Sequence, residues 1–247
     1  MAAHAMPPFA ADWAFFLDID GTLLEYMERP DAVRVGEPVL RLLEALRRGT
    51  GGALALISGR AASDIDRLFA PLRLPAAGQH GLERRDAAGG VHRHRFPTEL
   101  LRRVAAQVGE LAARHQGLLF EDKGYNLALH YRLAPELGGV ARSTLREAAI
   151  RLGKDFEVLE GKMVVELKPS GRDKGMAIEE FMREPPFMGR TPVFVGDDLT
   201  DEYGFGVVNR LSGHAVKVGP GTTAAPYRLA DAQAVRAWLA RWAARYA

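Results

Sequence analysis

The stretch Ala14–Glu25, AFFLDIDGTLLE, decides the fold. Its apolar run Ala14 to Leu17 closes on two aspartates that bracket Ile19, and Gly21, Thr22 and further aliphatics follow. A short apolar run ended by Asp and Gly predicts a fully buried strand, since it is too short for a helix. Alternation at the strand's end puts Asp18 and Asp20 on one side, with Ile19 turned away. Two carboxylates ~4 Å apart repel by about 4 kcal/mol at an effective dielectric of roughly 20. A fold retains that cost only where a cation or a shared proton relieves it, which makes the pair a candidate reaction centre rather than a solvated turn.

Outward from this strand the same grammar continues. PVLRLLEALRR, Pro38 to Arg48, has aliphatics at helical spacing, with proline near its start and Gly49 after its end. ALALISGR repeats the opening pattern, a strand at Ala53–Ile57 ending in Ser58 and Gly59. Asp64–Leu68 reads as helix, and LPAAGQHG as a short strand running into a loop. Strand–helix–strand–helix order predicts a parallel sheet with helices on its faces. From Gly81 the grammar changes to two strands around a turn at Ala87–Gly90, then an amphipathic helix from Thr98 to His115, capped by Thr98. GLLFEDKGYNLALHYR gives two strands joined through Lys123–Asn126, Pro135–Leu152 a second helix, and FEVLEGKMVVELKP a strand pair about Glu160–Lys162. The parallel grammar then resumes with a helix at Lys174–Arg183, a strand at Thr191–Val195, the loop and helix GDDLTDEYGFGVV, the strand HAVKVG and a closing helix at Asp231–Tyr246. The fold class expected is α/β: a Rossmann-like parallel-sheet core, residues 1–82 and 170–247, interrupted by an α+β lid, residues 83–169.

Composition narrows the function classes. The chain has 247 residues, 47% hydrophobic and 26% charged, which suits a globular protein with a sizeable core. Its 33 basic and 31 acidic residues leave a net charge of +2, and the arginines are scattered, so neither a nucleic-acid partner nor a membrane surface is expected. The absence of cysteine excludes disulfides, thiolate zinc sites and a cysteine nucleophile, and fits a reducing cytoplasm. No apolar run reaches the ~20 residues of a membrane span, and MAAHAMPPFAADW lacks the pattern of a secretory signal. We expect a cytoplasmic monomer acting on a small molecule; the Ala- and Pro-rich first dozen residues receive no function.

Ligands bind outside the carboxyl ends of parallel strands, where this reading puts Asp18, Asp20, Ser58, Asp197 and Asp198, with Lys174 opening the helix after the insertion. Such a rim suits phosphoryl transfer from a monoester. Magnesium takes oxygen ligands, and Asp18 and Asp197 can supply two carboxylates. Three acids in five residues of GDDLTDE is the costliest of these arrangements.

In the order D-x-D, S, K, G-D-D, these motifs resemble the haloacid dehalogenase superfamily, and DIDGTLL is similar to its D-x-D-x-T motif. The resemblance implies a covalent mechanism. Asp18 attacks phosphorus, and Asp20 protonates the leaving oxygen and then activates water. Magnesium is held by Asp18, Asp197 and the main-chain carbonyl of Asp20, with Asp198 and Asp201 in support. Phosphate is bound by Ser58, Gly59, Gly21 and Lys174. The second aspartate separates phosphatases and mutases from the superfamily's ion pumps. GQHG at Gly78, EDKGYNLALHYR at Glu121, EGKMVVEL at Glu160 and GDDLTDE at Gly196 further resemble the trehalose-6-phosphate phosphatase family. That likeness implies a type-two lid and trehalose 6-phosphate as substrate, with His80, Gly81, Glu121, Lys123 and Glu160 as lid-side sugar contacts. His130 and Arg132 stand behind them. The alternatives left open are a sucrose-phosphate or mannosylglycerate-phosphate phosphatase, and a non-catalytic sugar-phosphate sensor.

Overall fold

A computed structural model describes residues 5–27, 33–96 and 98–247; the Thr98 cap lies outside the described side chains. The chain divides into two compact units, one running to His92 and resuming at Asp173–Ala247, the other Arg93–Arg172. Among the described residues no helix is long and apolar enough to cross a membrane.

In the first unit β1 (Trp13–Leu17) lies at the centre of the sheet. On one side follow β2 (Leu54–Ile57) and β3 (Ala76–Gly78), in parallel. β4 (Glu83–Arg85) and β5 (Val91–Arg93) continue that side, β4 running antiparallel to β3. On the other side are β10 (Thr191–Gly196), β11 (His214–Val218) and β12 (Tyr227–Leu229), all parallel. The strand order therefore reverses at β1, and a crevice opens at the carboxyl ends of β1 and β10. Register sets Leu17 beside both Val195 and Leu56, so the residues after β1, β10 and β2 emerge together.

Alternation along β1 covers both faces. Trp13, Phe15 and Leu17 pack with α1 (Glu37–Gly49) and α7 (Ala232–Tyr246), while Ala14 and Phe16 pack with α5 (Lys174–Met182) and α6 (Asp201–Arg210). The segment without an assigned role, Met6–Ala10, is a strap on this core. Met6, Phe9 and Ala10 pack against it, the Trp242 indole donates to the Ala10 carbonyl at 2.9 Å, and the Tyr246 hydroxyl donates to the Phe9 carbonyl at 2.9 Å. The short helix α2 (Ala62–Leu68) follows β2.

The expected crossing at Gly81–Glu83 falls too early. Glu83–Arg85 pairs with Ala76–Gly78, so backbone hydrogen bonding keeps this strand on the core sheet, and the division comes after His92. The second unit is an antiparallel sheet in the order β6 (Leu119–Asp122), β7 (Leu127–His130), β9 (Val164–Pro169), β8 (Phe156–Gly161). Helices α3 (Thr98–Ala113) and α4 (Gly138–Leu152) contribute Val104, Val108, Ala141 and Leu145 to an apolar core shared with Leu127, Leu129, Val165 and Leu167 of the sheet. The alternate residues of those strands stand on the opposite face.

Candidate active site

Asp18 leaves β1 into the crevice and is buried. Asp173 caps α5 by accepting from the Met176 amide at 2.8 Å, and this sets Lys174 at the helix start. The buried Lys174 ammonium donates to Asp18 Oδ1 at 2.9 Å and to Asp201 Oδ1 at 2.7 Å. The other oxygen of Asp201 accepts from the amides of Asp197 and Asp198 at 2.8 and 3.0 Å. One fully buried carboxylate thus ties the lysine to the loop after β10. Asp198 spends its carboxylate on the loop as well, accepting from the Thr200 amide at 2.9 Å and the Thr200 hydroxyl at 2.7 Å. The Lys217 ammonium, from β11, donates to the Asp197 carbonyl.

This leaves Asp197 as the carboxylate of the loop turned toward Asp18, with the Thr22 hydroxyl donating to its Oδ1 at 3.3 Å. Oxygens of Asp18, Asp197 and Asp201 lie within 4.8 Å of one another. Burial, opposed in part by Lys174 and reinforced by Asp197 and Asp198, pushes the Asp18 carboxyl up to about 7. Burial with the neighbouring Asp198 and Asp201 pushes Asp197 up to about 7 as well. Asp201 is raised well above the carboxylate range, by burial before all else. The same crowd of carboxylates, outweighing its own desolvation, holds Lys174 well above the ordinary lysine range. The two ammoniums, Lys174 and Lys217, do not neutralise the four carboxylates Asp18, Asp197, Asp198 and Asp201. An all-oxygen donor set short of positive charge fits a hard divalent cation. Asp18 and Asp197 are its carboxylate candidates, because the oxygens of Asp201 are already engaged.

One assignment changes here, and one residue is added. The Gly21 amide donates to the Leu24 carbonyl at 2.8 Å, so it does not serve phosphate. Gly21 is instead required by shape: φ is +87°, and a Cβ there would stand 2.4 Å from Asp197 Oδ2. Asp20 is turned to Arg60, whose Nε and Nη2 each donate to one of its carboxylate oxygens at 2.6 Å. Arg60 in turn donates its amide to Ser58 Oγ at 3.1 Å. The repulsion expected between Asp18 and Asp20 is thus relieved by two side-chain cations, Lys174 and Arg60. Arg60 was missed because SGR on its own reads as a turn. Ser58 and Gly59 follow β2 at the same rim, Ser58 buried.

His80 and Gly81, expected as sugar contacts facing the lid, lie in the core unit, where the expected core bounds also put them. His80 is buried with φ 57°, its Nε2 so close to Gly59 that a Cβ there would stand 2.7 Å away. Gly81, at φ +92°, lets Asp173 approach: a Cβ would stand 2.7 Å from the Asp173 carbonyl. Both residues brace the loops that hold Ser58 and Lys174.

In the second unit Glu121, Ala128 and Glu166 stand abreast on β6, β7 and β9. Lys123 Nζ donates to Glu166 Oε1 at 2.6 Å and lies 3.9 Å from Glu121 Oε2. Glu160 is not part of this group. It pairs in register with Val165, whose side chain is in the core under the helices, and its carboxylate binds Arg146 of α4 at 2.5 Å. Glu166 takes the place expected of Glu160. The alternation Val164-Val165-Glu166-Leu167-Lys168, polar at every second residue from Glu166, is the signal that would have found it.

Carboxylate-based phosphoryl transfer is the chemistry such a rim can perform, and the sheet that carries it shares its fold with a Bacteroides thetaiotaomicron protein described among the phosphatases of the HAD superfamily, with a TM-score of 0.63 at 14% identity over 98% of this chain and 99% of that one. The chain belongs to the trehalose-phosphatase family, whose model matches residues 16–233. It is 47% identical over 233 residues to the trehalose-6-phosphate phosphatase of Escherichia coli K12, covering 94% of this chain and 87% of that one. It is 45% identical over 209 residues to a probable trehalose-phosphate phosphatase of Sinorhizobium fredii, covering 85% and 78%. The C-terminal domain of Candida albicans trehalose-6-phosphate phosphatase shares the fold with a TM-score of 0.84 at 22% identity, over 95% of this chain and 92% of that one.

Proposed function

We propose that this protein hydrolyses trehalose 6-phosphate to trehalose and inorganic phosphate. The observation that carries the reading is the meeting of Asp18 and Asp197, at the carboxyl ends of the adjacent strands β1 and β10, with Lys174 at the start of α5. Asp18 Oδ attacks phosphorus, the bond to the sugar oxygen breaks, and Asp20 delivers a proton to that oxygen. Asp20, ionised by that transfer, then takes a proton from water as the water attacks the aspartyl-phosphate, freeing phosphate and restoring Asp18. Arg60 fixes where the Asp20 carboxylate stands. Ser58, Gly59 and Lys174 bind the phosphoryl oxygens, the lysine supplying fixed positive charge. Asp18, Asp197 and the Asp20 carbonyl would hold magnesium, which when bound supplies the charge that lets a buried carboxylate approach a phosphate dianion.

We assign sugar reading to Glu121, Lys123 and Glu166. A disaccharide offers hydroxyls and no charge beyond its phosphate, so selectivity needs buried polar groups that a wrong sugar leaves unpaired. Phosphate release should be measured from trehalose 6-phosphate, sucrose 6-phosphate, mannosylglycerate phosphate and glucose 6-phosphate, with and without a chelator. Preference for the first, abolished by the chelator, is expected. Preference for a monosaccharide phosphate overturns the substrate. Binding with magnesium but no release from any of them would make the protein a sensor.

A further inference from the structure

The lead-in and body of β7 read Asn126-Leu-Ala-Leu-His130. Leu127 and Leu129 enter the apolar core beneath the helices, which leaves Asn126, Ala128 and His130 on the opposite face. Ala128 stands between Glu121 and Glu166 in register, and its small side chain lets the carboxylates flank one ammonium. Each glutamate has a second partner. His130 Nε2 lies 2.9 Å from Glu121 Oε2, and Asn126 Nδ2 donates to Glu166 Oε2 at 3.3 Å.

The distances are unequal in an informative way. Glu166 is hydrogen-bonded to Lys123 at 2.6 Å, whereas Glu121 is held at 3.9 Å, beyond hydrogen-bond reach. Opposite charges that close draw together unless something restrains them. The hydrogen bond from His130 is that restraint, and it helps keep the Glu121 carboxyl below its ordinary range although burial acts against it. Without it Glu121 would close onto Lys123, and two groups that face hydroxyls separately would satisfy each other.

We propose that His130 and Asn126 are positioning residues for substrate selection, holding Glu121 and Glu166 at fixed separate points so that the face reads a pattern of sugar hydroxyls. This rests on the reading of Glu121, Lys123 and Glu166 as the sugar-recognising set. Neither residue belongs to the phosphoryl-transfer machinery, so their loss registers on the sugar and not on the phosphate.

Steady-state kinetics on trehalose 6-phosphate and on p-nitrophenyl phosphate test it, with Lys123→Ala as reference. His130→Ala, and His130→Leu as a variant that keeps volume, should lower kcat/KM for trehalose 6-phosphate about 10- to 100-fold, chiefly through KM, the loss expected for a hydrogen bond to a charged group. Aryl phosphate turnover should stay at the wild-type level. His130→Gln, which keeps an N–H donor, should restore most of the loss. Equal losses on both substrates, no loss on either, or no rescue by glutamine would overturn the positioning role. A wild type that hydrolyses the aryl phosphate but not trehalose 6-phosphate would sink the functional reading itself, and this inference with it.

Discussion

Chelating divalent ions should destabilise this protein at pH 8 and scarcely at pH 5. In the metal-free fold Asp18 titrates at about 7, against an ordinary value of 3.8. The folded state therefore holds a proton that the unfolded chain gives up, and the resulting stability is complete below the unfolded value and lost as pH rises through the folded one. At 1.36 kcal/mol per unit, Asp18 alone costs the metal-free fold about 4 kcal/mol above pH 7. Asp197, also at about 7, titrates with it as a coupled pair and adds to the same trend. A cation between the two carboxylates removes the penalty, but at pH 5 it must displace protons, which weakens binding by roughly 100-fold for each carboxylate. For a chain of this size about 4 kcal/mol is roughly 8–16 °C in melting temperature. Melting curves with EDTA and with excess magnesium at pH 5 and 8 read this directly. A magnesium-induced shift of that order at pH 8 and a far smaller one at pH 5 is expected. Equal shifts at both values, or a chelated protein that gains stability from pH 5 to 8, would refute the reasoning.

Gly21→Ala adds a Cβ 2.4 Å from Asp197 Oδ2 at a φ of +87°, so it should cost about 1–2 kcal/mol in backbone strain and push Asp197 aside. A lower melting temperature and a raised magnesium requirement would both appear in titrations of the variant. Arg60→Lys keeps the charge beside Asp20 but loses the two-pronged geometry, and kcat for trehalose 6-phosphate should fall about 10-fold or more, as kinetics would show. Glu166→Gln should impair trehalose 6-phosphate turnover far more than aryl phosphate turnover, whereas Glu160→Gln should leave both unchanged, since Glu160 serves a half-exposed ion pair with Arg146.

The motifs on strand ends were readable because parallel strands put their carboxyl ends at one rim whatever their distance in sequence. Asp18 and Asp197 needed only that rule, whereas Lys174, at the start of α5, drew its role from the family resemblance. The strand pair Glu121–His130 was readable from its turn. Roles that depend on which neighbour a side chain chooses were not. Gly21 reads as one more phosphate-loop glycine until Asp197 is seen against it, and Arg60 until its fork meets Asp20. Choosing Glu166 over Glu160 requires the register of β8 on β9, in which neighbouring residues point to opposite faces. The early boundary had a similar cause, because β4 has three residues and its pairing with β3 leaves no pattern in so short a run.

The nucleophile can be caught on the protein. Asp20→Asn cannot activate water, but the aryl group leaves as p-nitrophenolate and needs no proton, so this variant given the aryl phosphate and magnesium should accumulate phosphoenzyme. Acid quench, digestion and mass spectrometry should then find the phosphoryl group on the peptide carrying Asp18 and nowhere else, with none in Asp18→Asn. A phosphoryl group on another residue, or undiminished hydrolysis by Asp18→Asn, would contradict the account.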